Sequence, residues 1–102
     1  MIPIKFIKVV CLLVLVSFQF VNTSGYTHTG NPTASGRWPI AVRTVSADHL
    51  PFGTHVIIND HEYVVEDRFG GGYTDRVDIF FDTADEAWDF GRQWLVMQIL
   101  EE

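Results

Sequence analysis

Three aspartates stand in sequence contexts that suit acid–base chemistry by carboxylates. Asp78 lies within the apolar segment 76–81, directly between Val77 and Ile79. Aspartate is disfavoured inside a strand, and burial among apolar residues raises the pKa of a carboxyl group. A raised pKa is what a general acid needs at neutral pH. The alternative, that Asp78 faces water on a half-exposed strand, remains open from spacing alone.

The other two aspartates adjoin turns. Asp67 follows the strand-like segment 62–66 and opens a glycine-rich loop, so it suits either a second active-site carboxylate or a turn residue. If Asp67 lies beside Asp78, the two carboxylates would share one proton, and one pKa would rise. Asp48 precedes the turn at 50–53 and could act by accepting bonds from turn amides.

Short strands must position these aspartates. Turn residues separate strand-like segments at 40–47, 54–58, 62–66, 76–81 and 94–100, and Asn59, Asp60 and His61 suggest a hairpin. One helix is predicted between Thr83 and Gly91, because Thr83 and Glu86 have the spacing of a capping box. This pattern predicts an all-β domain with one short helix, closed into a barrel so that no strand edge is exposed.

The N-terminus resembles a secretory signal. Lys5 and Lys8 precede the apolar run 9–16, which fades into small polar residues at 22–25. The run is short for a membrane span, which needs about 20 apolar residues, although a retained anchor or a core helix also stays open. We therefore predict a signal at 1–24, a domain at 25–102 and a secreted, extracellular or cell-wall location.

Removal of residues 1–24 would leave five arginines against thirteen acids, a net charge of 5 − 13 = −8. An acidic domain does not suit nucleic acid, whose phosphates favour a basic face. Cys11 lies in the predicted signal, so the domain would have neither a disulfide nor a reactive thiol. The four histidines are scattered without metal-ligand spacing, and no metal or other cofactor is expected. We predict buried positions for Trp88 and Trp94, whereas Trp38, Phe69 and Tyr73 could stack on sugar rings.

Several ordered motifs of the chain resemble the 3D domain, a family named for three aspartates and found in secreted bacterial wall-active proteins and membrane-bound lytic murein transglycosylases. The similarity covers roughly residues 26–100. The motifs that carry it are 33–36, 47–54, 66–67 with the following glycine loop, 76–78, 86–87 and 90–91.

The resemblance implies a six-stranded double-psi β-barrel with a groove that binds peptidoglycan glycan strands. It also implies cleavage of the β-1,4 bond between N-acetylmuramic acid and N-acetylglucosamine. By this resemblance Asp78 is the acid/base, Asp67 accompanies it as a second catalytic carboxylate, and Asp48 is supporting. Residues expected to contact substrate are Thr33, Ser35, Arg68, Tyr73 and Arg76, and the protein is expected to act as a monomer.

The loop after Asp67 departs from the family pattern. Many family members have a lysine in this loop, but Tyr73 occupies that position here, and no lysine follows Lys8 in the chain. The role of that lysine would have to be lost or pass to Arg68 or Arg76. The alternatives to a lytic transglycosylase are a hydrolase, a non-catalytic glycan-binding or wall-loosening module similar to expansins, and a small structural protein.

Overall fold

The computed structural model describes residues 15–101, which form six strands and one helix. No helix within this described range is long and apolar enough to cross a membrane. The elements, in chain order, are β1 (Leu15–Tyr26), β2 (Thr44–Ser46), β3 (His55–Ile58), β4 (His61–Asp67), β5 (Arg76–Phe80), α1 (Ala84–Phe90) and β6 (Gln93–Glu101).

The six strands form a closed barrel in the order β1-β5-β2-β4-β3-β6. β1 pairs with β6 in antiparallel fashion and thereby closes the ring. Two pairs, β1 with β5 and β2 with β4, are parallel, and the other pairs are antiparallel. The predicted all-β barrel with one short helix is therefore confirmed.

The barrel interior is filled by apolar side chains from alternate strand positions, because successive residues of a strand point to opposite faces. Val77 and Ile79 of β5 belong to this core, and so do Val45 of β2 and Val65 of β4. Asp78, which lies between Val77 and Ile79 in β5, consequently points away from the core. The polar row described below lies on this second face.

Local sequence signals place the hairpin and the helix as predicted. Asn59 and Asp60 join β3 to β4 with φ angles of 52° and 61°, which is typical of a two-residue hairpin turn. Thr83 caps α1 by accepting a hydrogen bond from the backbone N–H of Glu86 at 3.2 Å, and its hydroxyl donates to the Glu86 carboxylate at 2.9 Å. Gly91 ends the helix with a φ of 67°.

β1 overlaps the predicted secretory signal. Residues 15–24 make up ten of the twelve residues of this strand, and Val21 and Thr23 are fully buried. Residues 1–14 of the predicted signal lie outside the described residues. A cut near Ser24 would remove the strand that lies between β5 and β6, so export processing at that position and closure of this barrel exclude each other in the same molecule.

The prediction that two tryptophans are buried is wrong. Trp88 is 83% exposed on α1, and Trp94 is 55% exposed on β6, where its ring contacts Phe20. Small β-branched residues fill the narrow barrel instead, and the large indole rings remain on the outer surface. Trp88 therefore becomes available for ligand contact.

Candidate functional site

A row of polar side chains crosses four neighbouring strands. Ser24 of β1 pairs with Asp78 of β5, Asp78 pairs with Ser46 of β2, and Ser46 pairs with Asp67 of β4. Strand pairing thus brings together two of the three predicted carboxylates from segments eleven positions apart in sequence. Ser24 and Ser46 supply hydroxyl groups beside and between them.

An irregularity in the pairing of β2 with β4 places Asp67 in this row. Val45 pairs with Val65, but the next residue, Ser46, pairs with Asp67, so that Glu66 is the additional residue of β4. Such a bulge reverses the regular alternation of side chains and commonly redirects a side chain next to a functional site. Without it, Asp67 would share the inward direction of Val65.

Both carboxylates of the row are held by tyrosine or serine hydroxyl groups. The Ser24 hydroxyl donates a hydrogen bond to Asp78. The Tyr26 hydroxyl donates to Asp67 at 2.9 Å, and the backbone N–H groups of Ala34 and Arg68 donate to the other oxygen of Asp67, each at 2.9 Å. Asp67 therefore has three donors, whereas Asp78 receives one such bond among the described residues.

Tyr26 links the two carboxylates electrostatically. Burial raises the pKa of Tyr26 far above its ordinary value, although the Ser46 side chain opposes this in part; the hydrogen bond to Asp67 and the negative charges of Asp67 and Asp78 raise the pKa further. The phenol therefore stays protonated at physiological pH and acts as a donor. This arrangement shows that the Tyr26 ring lies within electrostatic range of both acids.

The two carboxylates bond different hydroxyl groups and not each other among the described residues. Their backbones are two strands apart, a separation of about 10 Å in a regular sheet. A proton shared directly by Asp67 and Asp78, as expected from the sequence, would require their oxygens to be in contact. The observed bonding instead connects each carboxylate to its own hydroxyl donor.

Asp48 lies apart from this row and organises the glycine loop. One carboxylate oxygen accepts from the N–H groups of Phe69 and Gly70 at 2.7 and 3.1 Å, and the other accepts from Gly71 and Tyr73 at 3.1 Å each. Desolvation alone would raise the pKa of Asp48, but these four bonds outweigh it and lower the pKa. Asp48 is thus a loop-stabilising acceptor, and the turn it supports is 69–73, not 50–53.

Thr33 and Ser35 form a tight turn beside Asp67. The Thr33 hydroxyl donates to the carbonyl of Arg37 at 2.7 Å and lies 2.9 Å from the Ser35 hydroxyl. Thr33 is only 7% exposed. Its hydroxyl is therefore committed to the turn, while Ser35 lines a neighbouring cavity.

The three predicted contact residues around the glycine loop have intramolecular partners. The Arg68 guanidinium stacks 3.8 Å from the centre of the Phe52 ring and donates to the carbonyl of Ala47 at 2.7 Å. Arg76 stacks on Tyr73, at 4.6 Å from the ring centre, and also on Phe69. The Arg76 contacts hold the loop against β5, and the Arg68 contact holds it against the turn that contains Phe52.

A cavity of about 370 Å³ adjoins the Asp78 end of the row. Its lining includes Ser24, which is the hydroxyl partner of Asp78, and the exposed Trp88 and Arg92 near the end of α1. Gly25 also lines it and lets the helix approach closely, since a Cβ there would lie 3.1 Å from the Cα of Ala87. The cavity size falls within the range of small-molecule sites, about 300–1,000 Å³.

Within the part of the chain that the structure describes, no group of three or more His, Cys, Asp or Glu side chains could hold a metal ion. His49 bonds Gln19 at 2.7 Å, and burial lowers its pKa. His55 pairs with Glu62 at 3.3 Å.

Three participants in the site were not identified from the sequence. Ser24 and Tyr26 lie in or beside the predicted signal, and Ser46 is an ordinary strand serine. Their roles depend on the pairing of β1 with β5 and of β2 with both β4 and β5, which no local pattern encodes. A clue in β1 was its alternation of Val21 and Thr23 with polar residues, which is typical of a strand with one buried face.

Comparison of the chain with models of known protein families gave no match, and comparison with curated proteins gave none either. The assignment of function therefore depends on the geometry of the site and on the resemblance carried by the sequence motifs.

Proposed function

We propose that this protein is a secreted glycosidase of peptidoglycan, a lytic transglycosylase in which Asp78 is the acid/base. The observation that carries this proposal is the hydrogen bond of Asp78 to Ser24, which lines a cavity together with the exposed Trp88. The motif resemblance to the 3D domain, which implies a double-psi β-barrel, supports the same assignment.

The cavity has the composition that sugar binding requires. Aromatic rings such as Trp88 offer a flat apolar face to the C–H groups of a sugar, and neighbouring polar groups orient its hydroxyls. Ser24, Thr27 and Arg92 provide such polar groups in the cavity lining. A sugar stacked on Trp88 would share this cavity with Ser24, the hydroxyl partner of Asp78.

The reaction needs one carboxylic acid that acts twice. Protonated Asp78 would donate its proton to the oxygen of the β-1,4 bond as the bond to C1 of the muramic acid breaks. The Asp78 carboxylate would then take the proton of the 6-hydroxyl, whose oxygen forms the new bond to C1 and closes a 1,6-anhydro ring. Water does not enter, so the route differs from hydrolysis with two carboxylates.

Asp67 and Tyr26 would serve this reaction as positioning residues. Both oxygens of Asp67 already accept hydrogen bonds from the protein, three in all, so Asp67 is poorly placed to transfer a proton. Its negative charge would still act on the site, since Tyr26 bonds Asp67 directly. That charge would favour positive charge developing at C1 of the sugar. We accordingly propose that Asp78 alone transfers protons.

A second candidate function is binding of peptidoglycan without cleavage. The observation that favours it is the internal commitment of Arg68, Arg76 and Tyr73, which leaves the loop without the cationic group that family members have as lysine. The Trp88 cavity would still bind glycan in such a module.

Export remains part of the proposal. A mature chain that keeps this barrel would have to retain β1 from about Leu15 onward. N-terminal sequencing of exported protein distinguishes this from a cut between Thr23 and Tyr26.

The decisive experiment is incubation of the full chain with purified peptidoglycan and mass detection of anhydro-muropeptides. A lytic transglycosylase releases products with the 1,6-anhydro ring, a hydrolase releases reducing ends, and a binding module sediments with peptidoglycan but releases neither. Trp88→Ala should weaken binding about tenfold, whereas the matched exposed variant Trp94→Ala should leave it unchanged.

A further inference from the structure

A buried carboxylate outside the polar row joins two arginines. Glu66 is 5% exposed, and it accepts hydrogen bonds from Arg37 at 3.3 Å, from Arg43 at 3.1 and 3.4 Å, and from the Thr44 hydroxyl at 3.0 Å. Burial alone would raise the pKa of Glu66, but the bonds from Arg43, Thr44 and Arg37 lower it. The carboxylate therefore stays ionised and holds both guanidinium groups in place.

The backbone also fixes the two arginines. The Arg37 carbonyl accepts bonds from the N–H and the hydroxyl of Thr33, at 2.8 and 2.7 Å. The Arg43 carbonyl accepts from the N–H of Val64 on β4 at 2.7 Å. Both side chains extend from anchored positions, and binding an anion would require little reordering.

Each of the two arginines has N–H donors that are not used in its hydrogen bonds to Glu66. Arg37 uses one terminal nitrogen on Glu66, and 66% of its side chain is exposed. Arg43 uses two nitrogens, and 43% of its side chain is exposed. A guanidinium has five N–H donors in a planar fork that matches a carboxylate, so both can bond a second acid.

The local charge is positive in an acidic protein. Two arginines face one carboxylate here, whereas the whole chain has a net charge of −6. Within the cluster of Arg37, Arg43 and Glu66, the guanidinium groups therefore exceed the carboxylate by one positive charge. A further carboxylate, that of Glu62, lies 3.3 Å from His55, which also lines this region.

Two cavities, of about 400 and 470 Å³, meet at this cluster, and Arg37, Arg43 and Glu66 line both. Phe52 lines the first, and Trp38 lines the second, with 63% of Trp38 exposed. A flat aromatic surface thus stands directly beside the anchored guanidinium groups.

We propose that Arg37 and Arg43 form a second binding site, which takes the carboxylate of a ligand whose sugar or apolar body lies against Trp38. This site is separate from the Trp88 cavity and goes beyond the proposed cleavage at Asp78. Glu66 presets the two guanidinium groups, and the ligand carboxylate completes their donor sets.

The test is an NMR titration of the full chain with three probes: N-acetylmuramic acid, N-acetylglucosamine and lactate. The first two sugars differ in the lactyl carboxylate, and lactate presents that carboxylate without a sugar. We expect N-acetylmuramic acid to shift the Trp38 indole N–H resonance and to bind about tenfold more tightly than N-acetylglucosamine. We expect lactate to shift the same resonances with a lower affinity than N-acetylmuramic acid, and lactate binding as tight as that of the acidic sugar would contradict the proposed contact of the ligand body with Trp38.

Arg37→Gln should remove the preference for the acidic sugar, and Arg37→Lys should restore it only in part, because an ammonium lacks the planar fork. Arg76→Gln is the matched control and should retain the preference, because Arg76 stacks on Tyr73 and Phe69 and lines neither cavity of this cluster. Equal affinity for the two sugars, or loss of the preference in Arg76→Gln instead of Arg37→Gln, would overturn the proposal. The Trp38 resonance reports binding and does not depend on cleavage. If N-acetylmuramic acid shifts this resonance in a protein that releases no products from peptidoglycan, the proposed cleavage is refuted and the second binding site is supported.

Discussion

Asp48 and Asp78 are aspartates of the same predicted motif set, but the structure uses them differently. Asp48 accepts four backbone N–H bonds and lies at the base of a loop. Asp78 accepts one hydroxyl bond, from Ser24, and Ser24 in turn lines a cavity. The first carboxylate has its acceptor capacity filled by the protein, and the second keeps capacity for a ligand.

The number of hydrogen-bond donors therefore distinguishes the carboxylates that stabilise the fold from Asp78, for which we propose a chemical role. Glu66 belongs with Asp48, since its four bonds from two arginines and a threonine hold the cluster together. Asp67 is intermediate, because three donors fix it although it belongs to the same row as Asp78. Substitutions in the two classes should consequently affect different measurements.

The largest effect should come from removing β1, the strand that contains Ser24, the hydrogen-bond donor to Asp78. Deletion of residues 1–24 takes away ten residues of β1, including the fully buried Val21 and Thr23, and opens the barrel between β5 and β6. We expect loss of cooperative thermal unfolding, measured by circular dichroism. Deletion of residues 1–14 is the control and should keep the transition; equal melting of both deletions would contradict the assignment of β1 to the barrel.

Asp78→Asn should abolish cleavage while leaving the fold intact. The amide is nearly isosteric but cannot donate and retake the proton, and general acid–base catalysis is typically worth 10²–10⁴-fold. Release of anhydro-muropeptides should fall at least 100-fold, with a melting temperature close to that of the parent. Parental release from a normally folded Asp78→Asn protein would show that Asp78 is not the acid.

Asp48→Asn should give the opposite result, with reduced stability and largely retained activity per folded molecule. The amide replaces one acceptor oxygen by a donor facing two backbone N–H groups, a loss of about 1–2 kcal/mol at this partly exposed site. The melting temperature should fall by roughly 5–10 °C. Asp89→Asn, on the exposed surface of α1, is the matched control and should melt within about a degree or two of the parent.

The smallest effect should be a loss of folding stability at acid pH, caused by protonation of the structural carboxylates Asp48 and Glu66. The pKa values of Asp48 and Glu66 are lowered in the folded state, from ordinary values of 3.8 and 4.5. The folded protein thus binds fewer protons than the unfolded chain, so their stabilisation is complete above about pH 5 and is lost as the pH falls through the folded pKa values. Thermal melts between pH 6 and 3 should show this decline, and Asp48→Asn should decline less steeply; equal slopes would argue against the role of Asp48.

Local chemistry in the sequence determined much of the fold class. The capping box at Thr83 and Glu86, the turn at Asn59 and Asp60 and the alternation of β-branched residues each depend on interactions between residues close in sequence. Such interactions are encoded in short segments, so the helix, the hairpin and the all-β barrel were predictable. By contrast, β1 was not predicted, because the basic and apolar N-terminus was interpreted as a secretory signal that included most of this strand.

Only the tertiary structure decided what each acid does. That Asp78 faces Ser24, that a bulge turns Asp67 toward the same row, and that Asp48 binds the distant loop 69–73 all depend on strand register and loop closure. Register is a long-range property, because a shift by one residue would reverse the face of every side chain in the strand. The sequence therefore identified the carboxylates, and the packing of β1, β2, β4 and β5 determined how many hydrogen-bond donors each of them has among the described residues.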